Sequence, residues 1–144
     1  MYKNVLIPIP NDGLKKSDIK KIVSAIGVDV RKLTLAFVSA PLPPYIYVEY
    51  GYSSVVSENE HRKACQSFAD KLFSKVGKKL PGINYETCHV FNDNIAKGII
   101  DAAKKSKVDL IAMYSHKRKG LAKLFLGSDT QGVILSTRLP VLVV

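Results

Sequence analysis

Short apolar runs alternate with stretches of helical period along the whole chain, and this alternation restricts the fold more than any other feature. Val5-Leu6-Ile7-Pro8-Ile9 is nearly all apolar and stops at Pro10-Asn11-Asp12-Gly13, as a strand buried on both faces and followed by a turn would. Lys32 to Val38, Ile83 to Phe91, Val108 to Tyr114 and Pro140 to Val144 read as further strands. Between them, Ser17 to Ala25 reads as a helix, with Ile19, Ile22, Val23 and the adjoining Ile26 spaced by three and four, and Gly27 supplies the stop. A longer helix starts at Glu58, with Ala64, Phe68, Leu72, Phe73 and Val76 on one face, and ends between Gly77 and Gly82. Asn92-Asp93-Asn94 offers a cap to a helix from Ile95 to Lys105, and Ser128 can cap a last helix through about Leu135. Strands that alternate with helices in this way build βαβ units, hence an α/β fold: an open five-stranded parallel sheet with helices on both faces. Ligands of such sheets bind beyond the carboxyl ends of the strands, so the loops after Ile9, Val38 and Tyr114 are the candidate positions.

At 144 residues, 47% of them hydrophobic, the chain suits one domain spanning 1–144. No run approaches the ~18 apolar residues of a membrane span, and the amino terminus lacks the apolar core of a signal peptide, which together predict a cytoplasmic protein. Cys65 and Cys88 share no ligand spacing and read as reduced core thiols. The excess of 22 Lys and Arg over 12 Asp and Glu leaves a formal charge of +10, favouring acidic partners at long range. Nucleic acid is disfavoured as a specific partner, because the tyrosines of the Pro- and Tyr-rich loop 41–57 are not interleaved with Lys or Arg.

No catalytic constellation is apparent. His61 lies on the charged face of the long helix, His89 alternates in a strand, and His116 falls in a basic loop, so none has a sequence neighbour suited to base-and-nucleophile chemistry. Their spacings match no metal-ligand pattern, and the glycine-rich signatures of phosphate loops are missing. Gly127-Ser128 remains, at a helix start where free N–H groups and the helix dipole favour an anion.

Lys3-Asn4-Val5-Leu6-Ile7-Pro8-Ile9, Met113-Tyr114-Ser115-His116, Leu124-Phe125-Leu126-Gly127-Ser128 and Leu139-Pro140-Val141-Leu142-Val143-Val144 together resemble the universal stress protein family over essentially the full chain. The resemblance implies a strand order of 3-2-1-4-5 in an adenine-nucleotide alpha-hydrolase-like fold, and dimerisation through the last strand, with Val141, Leu142, Val143 and Val144 at the interface. Many such proteins bind ATP or AMP through G-x2-G-x9-G-[ST]. Laid on this chain, that motif meets Tyr114 and Lys117 at its first two glycines and matches only at Gly127 and Ser128. The acid that commonly ends strand one is replaced, since the chain reads Pro8-Ile9-Pro10 there unless Asp12 reaches back. Asp129 also places a negative charge in the first helical turn. The positions that still suit a nucleoside or its phosphates are Pro8, Ile9, Val38, Met113, Lys117, Gly127, Ser128 and Thr130, with Tyr114 either filling the ribose space or simply ending a strand. The expectation is a non-enzymatic stress-response dimer with weak or absent adenine-nucleotide binding. Its alternatives are a genuine ATP or AMP binder using the basic loop 115–119, and a nonspecific nucleic-acid binder.

Overall fold

The computed structural model describes residues 2–27, 29–42, 57–80, 82–115 and 127–144. Its elements run β1 (Asn4–Pro8), α1 (Lys16–Ile26), β2 (Lys32–Ser39), α2 (Glu58–Gly77), β3 (Tyr85–Phe91), α3 (Ile95–Lys105), β4 (Leu110–Met113), α4 (Ser128–Ser136) and β5 (Val141–Val143). All pairings are parallel, in the order β3-β2-β1-β4-β5. The Tyr-rich loop 41–57 falls largely outside the described residues, as does Lys117.

Strand periodicity decides which helical layer each side chain meets. Val5, Ile7 and Ile9, with Leu33, Leu35 and Phe37 of β2 and Leu110 and Ala112 of β4, pack against Ile19 and Ile22 of α1 and Ala69, Leu72, Phe73 and Val76 of α2. Leu6, Ala36, Ile111 and Met113 point the other way, onto Ala96, Ile99, Ala102 and Ala103 of α3 and Val133 of α4. Because β1 is buried on both faces, its sequence reads as a continuous apolar run. The stripe expected on α2 shifts slightly: Ala69 is buried instead of Ala64, and Phe68 is 46% exposed, leaning on Phe37 with ring centroids 5.6 Å apart. Among the described residues no helix is long and apolar enough to cross a membrane. Both cysteines are free thiols, but only Cys88 is in the core; Cys65 is half-buried on α2, beside the stripe that packs inward.

The helix starts follow local hydrogen bonding. Ser57 and Glu60 cap α2 reciprocally, Glu60 N donating to Ser57 Oγ at 3.1 Å and Ser57 N to Glu60 Oε2 at 3.2 Å. Asn94 caps α3 by accepting from Lys97 N at 2.9 Å. At α4 the expected serine cap is corrected. Gly127, not Ser128, is the capping residue, and its carbonyl takes the first helical bond from Gln131 N at 3.0 Å. Ser128 already lies within the first turn, one position too late to cap. At the end of α1, Gly27 has φ 87°, a conformation that a Cβ would strain. Gly98 serves close approach instead: a Cβ there would come 2.5 Å from Val38 Cγ1, so glycine lets α3 settle onto β2.

At the amino ends of the strands, the Asp109 carboxylate accepts from Lys3 N at 2.8 Å and Asn4 N at 3.0 Å, while Asn4 Nδ2 donates to Ser106 O at 3.0 Å. The buried Thr34 hydroxyl lies 2.9 Å from Asn4 Oδ1. This polar clamp holds the end of the sheet remote from the candidate site.

Candidate functional site

β1 is flanked by β2 on one side and β4 on the other, so the connections leave it in opposite directions and open a crevice beyond its carboxyl end. A cleft of about 200 Å³ occupies this crevice. Pro8, Ile9 and Pro10 form its β1 side, Val38 its β2 side, Met113 its β4 side, and Ile95 and Ile99 its α3 wall. The Ile9 N–H donates to Ala36 O at 2.8 Å, extending the β1 pairing to the rim. Gly98 brings α3 against Val38 and so sets the width between those walls.

Four of the residues singled out from sequence, Pro8, Ile9, Val38 and Met113, therefore surround one space. Gly127, Ser128 and Thr130 are not on its lining: Thr130 is buried in α4, and Ser128 faces solvent at the helix start. Lys117 lies outside the described residues. Asp12 does not reach back, being exposed and off the lining, whereas its neighbour Asn11 is on it. Asp129, from the first turn of α4, lines the cleft as well. Among the described residues Asp129 is therefore the one acidic residue on the lining, and it stands at the helix terminus that would otherwise favour a phosphate.

Of the two readings of Tyr114, the structure matches the residue that simply ends a strand. Strand alternation turns it away from Met113 and onto the α1 side, where it packs against the first core layer and away from the cleft. Its hydroxyl bonds the buried Asp18, and this bond, with some burial and the Asp18 charge, holds the phenol above its usual pKa. Asp18 also accepts from Lys15 N at 3.0 Å at the start of α1.

A larger cleft of about 490 Å³ adjoins the first across Asn11, Phe37, Val38 and Ile95. Ser39, Ala40, His61, Cys65, Phe68 and Asn92 extend it toward α2. His61 Nε2 bonds the Ala40 carbonyl at 2.9 Å. His89, which the sequence places alone on a strand, has a partner from a neighbouring strand: its Nε2 lies 2.7 Å from Ser39 Oγ. No sequence spacing signals this pair, because it depends on how β2 and β3 align. Among the described residues no group of three His, Cys, Asp or Glu side chains gathers as metal ligands would.

The fold and cleft define a doubly wound α/β protein with its crevice at the switch point of the sheet. The model of the universal stress protein family matches residues 1–144, and the chain belongs to that family. It is similar in structure to hypothetical protein MJ0577, with a TM-score of 0.68 and 24% identity over 100% of this chain and 96% of that one. A universal stress protein in complex with cAMP aligns with a TM-score of 0.58 and 15% identity, covering 99% of this chain and 96% of that one. An Arabidopsis thaliana universal stress protein family protein with AMP bound aligns with a TM-score of 0.54 and 13% identity, covering 99% and 90%. No curated protein sequence matches the chain at a significant level.

Proposed function

We propose that this chain is a cytoplasmic stress-response protein that acts as a homodimer, binding adenine nucleotides weakly or not at all and turning none over. The observation that carries the weak-binding reading is Asp129 on the wall of the small cleft. A phosphate entering beside the α4 terminus would meet this carboxylate at short range, and the helix dipole it would have used is already matched by the same group. Asn11 can hydrogen-bond a sugar hydroxyl but supplies no charge.

The convergence of Pro8, Ile9, Val38 and Met113 supports a second reading, in which the cleft takes the nucleoside part of ATP or AMP. Relatives of the same fold solved with AMP and with cAMP make an adenine nucleotide the ligand to test. Mass spectrometry of the supernatant from denatured protein, together with melting in millimolar ATP and AMP, separates the two. Absence of copurifying nucleotide and a shift of a degree or two support the first. A ligand at ~100 times its dissociation constant stabilises by ~2.7 kcal/mol, so a large shift would establish the second.

The dimer is proposed across β5. This strand bonds β4 on one side, with Val144 N donating to Met113 O at 2.9 Å, and it ends the sheet on the other. Val141, Leu142, Val143 and Val144 are only half-buried, and Leu135 nearby is 85% exposed. A second copy pairing there would cover an apolar edge that otherwise invites unspecific association.

A further inference from the structure

Three elements meet at the edge of the larger cleft, which Ser39 lines. Ser39 ends β2, and behind it His89 lies on β3 and Gln66 on α2. The register pairs Phe37 with His89 and Ser39 with Phe91, so Ser39 and His89 are diagonal neighbours on one face of the sheet. Ser39 Oγ is 2.7 Å from His89 Nε2, and His89 Nδ1 is 3.0 Å from Gln66 Oε1. Gln66 Nε2 donates to Asp70 Oδ1 at 2.8 Å.

These contacts assign the protons. An ionised carboxylate only accepts, so Asp70 turns the Gln66 amide nitrogen toward itself and leaves the amide oxygen facing the ring. That oxygen also only accepts, which puts the ring proton on Nδ1. Neutral His89 then offers its Nε2 lone pair to the Ser39 hydroxyl. Phe37 and Phe91 flank the ring, with centroids 6.0 and 4.7 Å away, and burial lowers the imidazole pKa below 6.5 against an opposing pull from Asp70. The ring is therefore held as the free base near neutrality.

We propose that Ser39 is a nucleophile toward small acyl esters, with His89 as its general base and Gln66 as the residue that positions the ring. This inference does not depend on the nucleotide reading. Phe37, Phe68 and Ile95 give the cleft an apolar wall suited to a short acyl chain. Ser39 Oγ attacks the ester carbonyl carbon while its proton passes to His89 Nε2, and the carbonyl π pair moves onto oxygen. When this adduct collapses, the bond to the leaving oxygen breaks and that oxygen takes the proton from Nε2. Water then repeats the sequence on the acyl-serine, releasing the acid and restoring the hydroxyl. The amide holding Nδ1 carries no charge, so it steadies the imidazolium less than a carboxylate would.

The test is p-nitrophenyl acetate with the full chain. Peptide mass mapping should find one acetyl group on Ser39 of the unaltered protein, a result that needs no variant to fold. Nitrophenolate release should fall about a hundredfold in Ser39→Ala and in His89→Gln, the range that general-base assistance supplies. Gln66→Ala should lower kcat, leave KM unchanged and move the acid limb of the pH profile. Acetyl groups confined to lysine, tyrosine or His61, or release that is unchanged in folded Ser39→Ala, would overturn the proposal.

Discussion

The Tyr114 hydroxyl bonds the buried Asp18 carboxylate and so ties the end of β4 to the first turn of α1. The bond favours the protonated phenol, raising its pKa in the folded state above the unfolded value of 10.0. The stabilisation is therefore fully present below pH 10 and is lost as pH rises through the folded value. Tyr114→Phe should cost about 1 kcal/mol at neutral pH, the usual worth of one hydrogen bond, and should flatten the alkaline limb of a urea-denaturation series. An alkaline limb identical to that of the unaltered protein would show that the pair contributes nothing.

Asp129→Asn removes the negative charge from the cleft while keeping the side-chain size. ATP affinity should rise by up to about tenfold, equivalent to ~1.4 kcal/mol, as measured by calorimetric titration. AMP, with less phosphate charge, should gain less. Equal gains for AMP, ATP and unphosphorylated adenosine would mean that the carboxylate acts on something other than phosphate.

Val143→Lys places a cation in the proposed pairing strand without touching either core layer. Sedimentation velocity should move from dimer toward monomer at micromolar protein. A dimer that persists unchanged would place the interface elsewhere.

Gly98→Ala drives a methyl into Val38, at 2.5 Å from Cγ1 before relaxation. Overpacking of this kind costs about 1–3 kcal/mol, and the melting temperature should fall by several degrees. Adding Val38→Ala should return part of the loss, because it removes both Val38 methyls that the new Cβ would strike. If the single variant melts normally, α3 has room to withdraw and the cleft width is not fixed by this contact.

The strand ends that frame the cleft were legible because β1, β2 and β4 are apolar runs with clear stops, and the Asn94 cap located α3 to the residue. Boundaries slipped where apolar residues extend beyond the ladder. Val108 reads as strand, yet its N–H bonds Ala103 O at 3.2 Å and finishes the turn in which Lys107 takes φ 52°. Tyr114 continues the β4 run in sequence, but which layer it entered depended on strand alternation counted from Met113. Asn11 beside Pro10, and Ser39 beside His89, could not be read at all. The first depends on the path of a turn, and the second joins residues 50 apart through lateral register.

The clamp at Asp109 sets an order of events as the chain folds. β1 is the middle strand, but one of its flanking strands is made only about a hundred positions later, and the carboxylate that secures the amides of Lys3 and Asn4 lies 106 and 105 residues downstream of them. A partly synthesised chain can pair β1 with β2, yet it must keep the other edge of its most apolar strand open until Leu110 and Ile111 arrive. Contacts so distant in sequence close slowly. During that interval the exposed flank of β1 is the surface on which a chaperone, or a second unfinished chain, would act.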